Sequence, residues 1–186
     1  LNADTVTVDN VAAAFDATAH LLDLGHRDLA TITGPLHLTS AQDRLRGFRS
    51  ALEQRGVPLR EDFVRSGNFR EDEAMASALD LLKRQDRPSA IFVANNHMMI
   101  GVMLAIAQLG LNCPKDVSIV GIDDFPWANA FTPRLTLVRQ PVEEIGRAAV
   151  QLLLDRRKDD GDRAPIHRVL KPTLVVRDSC ARFHSA

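Results

Sequence analysis

Two adjacent carboxylates beyond a short apolar stretch are the first residues whose type and spacing could do chemistry. Residues 117–122 read VSIVGI, and Asp123 and Asp124 follow directly. A short run of this kind, bounded by turn residues, is typical of a buried parallel strand. Ligands of open α/β sheets bind just beyond the carboxyl ends of such strands. We therefore expect a carboxylate at this point to accept hydrogen bonds from a small polar molecule.

The sequence contains no pattern that indicates catalysis. Asp123 and Asp124 are adjacent and would point to opposite faces of a strand, so they make a poor acid–base pair. A nucleophile elbow, a phosphate-binding loop and an HExxH zinc motif are all missing from the sequence. The six histidines lack metal-ligand spacing, and His26, just after Gly25, is expected to be a cation that complements a helix C-terminus. We therefore expect no enzyme, no metal and no cofactor.

Composition places the chain among ordinary globular proteins. Its 186 residues can build one large domain or two small lobes, and 45% are hydrophobic while 25% are charged. The formal net charge of −1 gives no bulk attraction to nucleic acid or to an anionic membrane. Cys113 and Cys180 make no disulfide framework, so we expect reduced thiols in a cytosolic protein. The first residues, LNADTVTVDN, do not read as a signal peptide and lack Met, which suggests a fragment.

Apolar runs alternate with helical patterns along the chain. Strands are predicted at residues 5–8, 29–33, 63–66, 90–94, 117–122, 135–138, 169–170 and 173–176. Gly25 and Gly110 are predicted to end helices, and Asn95 or Asn96 is predicted to cap the helix after strand 90–94. The order predicts an α/β fold with a mostly parallel sheet and helices on both faces.

Four segments, in this order, resemble the lactose-repressor (LacI/GalR) family of bacterial transcription regulators. They are GHRDLATITGPL, RLRGFRSALEQRGV, RPSAIFVANNHMMIGVMLAIAQLGLNCPKDVSIVGIDDF and FTPRLTLVRQPVEEIGRAAVQLLL. The resemblance runs from about residue 6 to about residue 179. It implies the effector-binding core of such a regulator, a periplasmic-binding-protein-like fold of two α/β lobes joined by crossing strands.

The resemblance also implies a division of the chain between these lobes. Residues 10–126 would build the carboxy-terminal lobe, closed by residues 167–179. Residues 1–9 and 135–154 would be partial elements of the amino-terminal lobe. The helix-turn-helix DNA-binding head and the start of the amino-terminal lobe are expected to lie outside this chain. Without those partners, the 135–154 element would expose an apolar face that needs covering.

Three ligand-binding residues are implied, each with a structural alternative. Arg44 matches an arginine whose planar guanidinium grips adjacent ligand oxygens, the alternative being an arginine that faces solvent. Asp123 matches an aspartate that accepts hydrogen bonds from ligand hydroxyl or N–H groups, the alternative being a cap of the following turn. Asn95 matches a residue that contacts sugar in some members, and a helix cap is an equal competitor that could coexist with that role.

Further contact positions and two departures bear on the kind of ligand. Phe69 matches an aromatic residue that packs against a ring or sugar face, the alternative being a core aromatic. Ser40 and Gln140 match additional polar contacts. Asn96 stands where many members have an aspartate, which removes a negative charge near the cleft. Leu38 stands where purine-responsive members have an arginine, which argues against a purine.

The resemblance places self-association near the PWANAF segment. Ile100, Leu104, Trp127 and Phe131 are therefore predicted to form a dimer interface, with the aromatic residues as anchors. The alternative for Trp127 is stacking on a sugar, and the Trp127→Ala variant discriminates by losing either oligomer mass or effector affinity.

The function implied is that of a ligand-responsive transcriptional regulator, a cytoplasmic repressor that forms a homodimer. Its small polar effector is expected to be a sugar or a sugar derivative, and its missing head would bind operator DNA. The alternative is a periplasmic solute-binding protein of a sugar transport system, which shares the fold. The segment TPRLTLVRQPVEEIG resembles regulators more than transport receptors. The codons upstream of Leu1 would distinguish the two alternatives. A helix-turn-helix there would indicate the regulator, and a signal peptide would indicate the periplasmic receptor.

Overall fold

The chain forms a six-stranded, mostly parallel sheet with two helices packed against each face. The computed structural model describes residues 3–158 and 163–183, apart from the side chain of Trp127. The elements are β1 (Thr5–Val8), α1 (Asn10–Asp23), β2 (Leu29–Thr33), α2 (Thr39–Gln54), β3 (Val64–Ser66), α3 (Glu71–Leu82), β4 (Ala90–Val93), α4 (Asn96–Gln108), β5 (Ser118–Ile122), β6 (Thr136–Arg139), α5 (Val142–Lys158), β7 (His167–Leu170) and β8 (Thr173–Val175). Short 3₁₀ helices cover Glu61–Phe63 and Pro126–Ala130.

The strand order in the large sheet is β3-β2-β4-β5-β6-β8, and β8 runs antiparallel to β6. The chain moves to one side from β2 to β3 and to the other side of β2 when it enters β4. The direction in which successive strands are added to the sheet therefore reverses beside β2, which makes this place a topological switch point. Open α/β sheets bind ligands at the carboxyl edge of such a point. The α/β fold with a mostly parallel sheet is confirmed.

Two apolar layers hold this sheet between its helices. β2, β4 and β5 are buried along their whole length, as expected for parallel strands covered on both faces. Ile91 belongs to the layer under α3 and α4, while its neighbour Phe92 belongs to the layer under α1 and α2. Phe92 stacks on Phe48 of α2 with ring centroids 6.1 Å apart. The alternation of strand side chains thus supplies both cores.

Several helix boundaries predicted from single residues are confirmed. Gly25 and Gly110 follow α1 and α4 with φ angles of +94° and +65°, in the left-handed region that glycine adopts readily. Asn95 caps α4, because its side-chain oxygen accepts a hydrogen bond from the amide of Met98 at 2.9 Å. The 3₁₀ helix at Pro126–Ala130 was not predicted.

Two strands lie in a different sheet from the one that the lobe assignment implied. β6, given to the amino-terminal lobe within residues 135–154, pairs with β5 and β8 in the large sheet. β7, expected to close the carboxy-terminal lobe, pairs with β1 in a separate two-stranded parallel sheet. The physical reason is burial, because three of the four residues of β6 are buried and β7 is mostly exposed. The division into two lobes stays a prediction.

The close approach of α3 and α4 depends on Gly101. A Cβ atom at this position would lie 2.1 Å from the carbonyl oxygen of Glu71 and 2.9 Å from the amide nitrogen of Met75, both on α3. We expect Gly101→Ala to lower the free energy of unfolding by about 1–3 kcal/mol, since the helices must separate. Urea denaturation measures this change.

The matched control for that variant is Gly146→Ala on α5. Apart from its chain neighbours and the backbone of α5 itself, no heavy atom of the described residues lies within 4 Å of a Cβ built there. We expect this variant to gain up to about 1 kcal/mol from helix propensity. Equal stabilities for the two alanine variants would contradict the role assigned to Gly101.

His26 is a buried, neutral side chain rather than the cation predicted from its place after α1. Only 3% of it is exposed, and burial lowers its pKa below the usual 6.5. Its Nδ1 lies 2.9 Å from Ser89 Oγ, while Nε2 lies 3.1 Å from both Ser118 Oγ and the carbonyl oxygen of Ala181. The prediction failed because the segment around Ala181 folds over the residue and removes it from water.

This burial predicts a pH dependence of stability. The pKa of His26 is lower in the folded than in the unfolded chain, so its stabilising contribution is complete above pH 6.5 and declines as pH falls below that value. We expect up to about 1.4 kcal/mol per pH unit from this residue between pH 6.5 and pH 5. Urea denaturation across this range should give a shallower slope for His26→Asn than for the wild type. Equal slopes would contradict the assignment.

Candidate functional site

The carboxyl edge of the sheet brings residues from β4 and β5 side by side. Val93 is paired with Gly121 in the parallel register of these strands. Asn95 and Asp123 each lie two residues further along, so both follow neighbouring strands at the same edge. This edge adjoins the switch point, where a ligand site is expected.

Arg44 reaches this edge from α2, the helix that follows β2. Only 7% of the residue is exposed. Its Nε donates to Asn10 Oδ1 at 2.8 Å, and its Nη1 donates to the carbonyl oxygen of Ala94 at 2.5 Å. Burial lowers the pKa of its guanidinium below the usual value for arginine, and the charge of Asp123 opposes that shift. The structure thus brings the guanidinium of Arg44 to the end of β4 and within electrostatic reach of Asp123.

Asp123 is held in an unusual backbone conformation at the end of β5. Its φ angle is +79°, in the region that residues other than glycine rarely adopt, and such strain concentrates at functional sites. Its amide donates to the carbonyl oxygen of Val138 at 3.0 Å, and its Oδ1 accepts a hydrogen bond from Gln140 Nε2. Asp123 and Gln140 therefore form one polar unit across β5 and β6.

Asp124 has a different set of partners. Its side chain is 4% exposed, with Arg177 Nη2 2.9 Å from Oδ1 and Arg139 Nη2 2.6 Å from Oδ2. Burial alone would raise its pKa, but the hydrogen bonds from Arg177 and Arg139 outweigh that effect and lower it below 3.8. The ion pairs of Asp124 thus connect the end of β5 to Arg139 and Arg177. Of the two adjacent aspartates, Asp123 is therefore the one that could bind a ligand.

The cap at α4 and a ligand contact are compatible uses of Asn95. The cap takes up the side-chain oxygen of Asn95, whereas a ligand would meet its amide nitrogen. The oxygen of Asn96 accepts from the backbone amide of His97 at 2.9 Å. Both asparagines therefore lie at the start of α4, beside the end of β4.

Phe69 covers the end of β2 at the same edge. Its φ angle is +58° and that of Asn68 is +50°, so the loop before α3 contains two residues in the left-handed region. A Cβ atom at Gly34, just after β2, would lie 2.2 Å from the ring of Phe69. The ring is half-buried and also packs against the core, so both predicted roles fit. Ser40 is half-buried in the first turn of α2.

A cleft of about 520 Å³ adjoins this edge. It is lined by Asp123, Asp124, Arg139, Gln140, Pro141, Val142, Glu143, Glu144 and Arg147. Asp123 and Gln140 are the predicted site residues in this lining, whereas Arg44, Asn95, Phe69 and Ser40 lie outside it. Asn10, the partner of Arg44, could not be predicted, since nothing in the sequence links positions 34 residues apart.

The predicted dimer residues are only partly described. Ile100 and Leu104 lie one turn apart on α4, where Leu104 is 43% exposed and Ile100 is half-buried. The half-buried Phe131 packs edge-to-face on Phe125 with ring centroids 6.4 Å apart. The side chain of Trp127 lies outside the described residues. The interface stays a prediction.

Neither a metal-binding cluster nor a membrane-spanning helix occurs in the described part of the chain. No cluster of three or more histidine, cysteine or acidic residues there is placed to hold a metal ion. Within residues 3–158 and 163–183, no helix combines the length and apolar character needed to cross a membrane.

Comparison with known proteins gives consistent matches. A family model described as a periplasmic binding protein-like domain matches residues 18–180. The chain is 34% identical over 182 residues to the HTH-type transcriptional repressor PurR of Vibrio vulnificus, covering 98% of the chain and 54% of that relative. It is 35% identical over 179 residues to the ribose operon repressor of Haemophilus influenzae, covering 96% of the chain and 54% of that relative.

A solved structure extends the similarity to three dimensions. The complex of the transcriptional regulator CelR with cellobiose superposes with a TM-score of 0.89 at 35% identity, covering 96% of this chain and 54% of that one. The chain thus spans about half the length of the curated relatives it matches.

Proposed function

Because the chain belongs to the LacI/GalR family of periplasmic-binding-protein-like effector domains, we propose that it is the effector-binding core of a ligand-responsive transcriptional repressor. The observation that carries this proposal is the meeting of Arg44, Asn95 and Asp123 at one edge of the sheet. A buried cation, a carboxamide and a carboxylate supply donors and acceptors for a small polar molecule. The solute-receptor alternative has less support, since the three relatives described above are named as regulators or repressors.

The effector that fits best is a sugar. Arg44 offers a rigid fork for adjacent oxygens and Asp123 an acceptor for hydroxyl groups, while Phe69 offers an aromatic face. The solved CelR complex contains cellobiose, and another relative is named for ribose. A purine is the competing effector, as in the purine-responsive members that the family resemblance implies. Leu38 argues against it because its side chain carries no charge or hydrogen-bonding group. Ser40 and Gln140 would add polar contacts.

The mechanism we propose is a shift between two lobe arrangements. A ligand held at the edge of the sheet favours one arrangement only to the extent that it binds that arrangement more tightly. In the full-length cytoplasmic protein, the change would alter how a homodimer presents two DNA-binding heads to a two-fold operator. Ile100, Leu104, Trp127 and Phe131 would form the dimer interface.

The amino-terminal part of that protein would also cover an exposed apolar surface. On α5, Val142, Val150, Leu153 and Leu154 are between 46% and 69% exposed, and Val169 of β7 is 60% exposed. Exposed apolar side chains in such number usually mark a surface that another segment covers. We assign this role to the remainder of the amino-terminal lobe.

The test uses the full-length protein and three probes. We expect calorimetry to detect binding of ribose or cellobiose and no comparable binding of guanine. We also expect selection from random duplex DNA to recover a palindromic site, from which the bound sugar changes the affinity of the protein. Tight binding of guanine alone would overturn the sugar assignment, and failure to select any DNA site would overturn the regulator.

A further inference from the structure

We infer that Asn10 is a positioning residue that connects the guanidinium of Arg44 to β1 and β7, the paired strands that we propose form the crossing between the two lobes. Its regulatory meaning rests on the proposed role of Arg44 in effector binding. The contacts themselves do not depend on which effector binds.

The side-chain carboxamide of Asn10 forms hydrogen bonds both to Arg44 and to the end of β1. Asn10 is the first residue of α1, directly beyond the crossing segment that ends at Val8 and Asp9. Its Oδ1 accepts from Arg44 Nε at 2.8 Å, and its Nδ2 donates to the carbonyl oxygen of Val8 at 3.3 Å. A displacement of Arg44 is therefore transmitted to the last residue of β1.

Backbone pairing joins β1 to β7 at the residues that precede Asn10. Val8 is paired with Leu170 in the parallel register of β1 and β7, and the amide of Asp9 donates to the carbonyl oxygen of Leu170 at 3.0 Å. The side chain of Asp9 accepts from the amide of Ala12 at 2.9 Å and so fixes the start of α1. Asn10 thus lies at the junction of β1, β7 and α1, the helix that leads to the large sheet.

The planar geometry of the guanidinium explains how a ligand bound at Arg44 would shift the position of β1 and β7. Nε and both Nη atoms belong to one rigid plane, so a ligand that tilts the Nη end must also move Nε. At one end of this plane Nη1 is held by the carbonyl oxygen of Ala94, and at the other Nε is held by Asn10. Arg44 is buried, so the plane has little freedom to move without its partners. Effector binding at the sheet edge and the position of the crossing are coupled through this side chain.

Hydrogen–deuterium exchange of the full-length protein without ligand tests the connection. We expect Asn10→Ala and Arg44→Lys each to accelerate exchange of the amide of Asp9 by roughly fivefold to tenfold, because each breaks the same chain of hydrogen bonds. The double variant should exchange no faster than the faster single variant. Exchange within β4 reports global destabilisation and should change much less.

The control is Asn112→Ala, which removes a surface asparagine that bonds Asp116. It should leave exchange at Asp9 as in the wild type. Unchanged exchange at Asp9 in Arg44→Lys, or additive effects in the double variant, would overturn the connection through Asn10.

A second experiment measures hydrogen–deuterium exchange of the full-length protein with ribose or cellobiose added. The Asn10→Asp variant keeps an acceptor for Arg44 Nε and loses the donor to Val8. We expect the sugar-induced change in exchange at Asp9 to fall at least about fivefold, with a smaller change in affinity. A full sugar-induced change in this variant would overturn the inference. If the wild type binds neither sugar, the sugar assignment fails, and the ligand-free arm still decides the role of Asn10.

Discussion

Replacing Arg44 with lysine is expected to lower the affinity of the full-length protein for the proposed sugar effector by about 100-fold to 1,000-fold. Lysine has no planar fork, so it cannot keep the bonds to Asn10 and Ala94 while it also meets adjacent ligand oxygens. Hydrogen bonds to charged groups contribute about 1.5–3 kcal/mol each. The loss of two ligand bonds near the lower end of that range, about 3–4 kcal/mol in total, corresponds to this change in affinity. Calorimetry with the sugar that binds the wild type measures it.

Arg46→Lys is the matched control on the same helix. The side chain of Arg46 is 64% exposed and pairs with Asp43 at 2.9 Å on the surface. We expect this variant to bind the sugar like the wild type, because an exposed ion pair contributes little. Comparable losses in both lysine variants would show that the effect does not come from the site.

Replacing Asp124 with asparagine is expected to lower the free energy of unfolding by about 3–5 kcal/mol. The change leaves the buried guanidinium of Arg177, only 9% exposed, without its charged partner. Breaking a buried ion pair from one side is strongly destabilising because the remaining charge stays out of water. Urea denaturation at neutral pH measures the loss.

Asp178→Asn provides the comparison at an exposed pair. Arg134 and Asp178 are 58% and 49% exposed, so we expect a loss below about 1 kcal/mol. Asp123→Asn should instead weaken sugar binding, because Asp123 faces Gln140 and the cleft. A stability loss for Asp124→Asn no larger than that of Asp178→Asn would contradict the division of roles between the two adjacent aspartates.

The local parts of this fold were open to prediction from the sequence. The strand at 117–122 and the helix ends at Gly25 and Gly110 depend on short runs of residues, and the structure confirms them. The cap by Asn95 depends on a residue only three positions from its partner. Local signals of this kind stay visible because tertiary contacts do not override them.

Long-range contacts account for what could not be predicted. The pairing of β1 with β7 joins residues more than 160 positions apart, and burial on both faces rather than local pattern places β6 in the large sheet. The position of His26 just after α1 predicts a cation, but residues near Ala181, more than 150 positions away, remove the side chain from water. Asn10 carries no sequence signal, because its role exists only once α1 and α2 pack together.

The most direct test of the central claim is a crystal structure of the full-length protein grown with the sugar that it binds in calorimetry. We predict that sugar oxygens lie within about 3.2 Å of the guanidinium of Arg44 and of the carboxylate of Asp123, at the carboxyl edge of the sheet. A sugar bound instead in the separate cleft lined by His26, Ser89 and Lys115, with Arg44 and Asp123 untouched, would contradict the account.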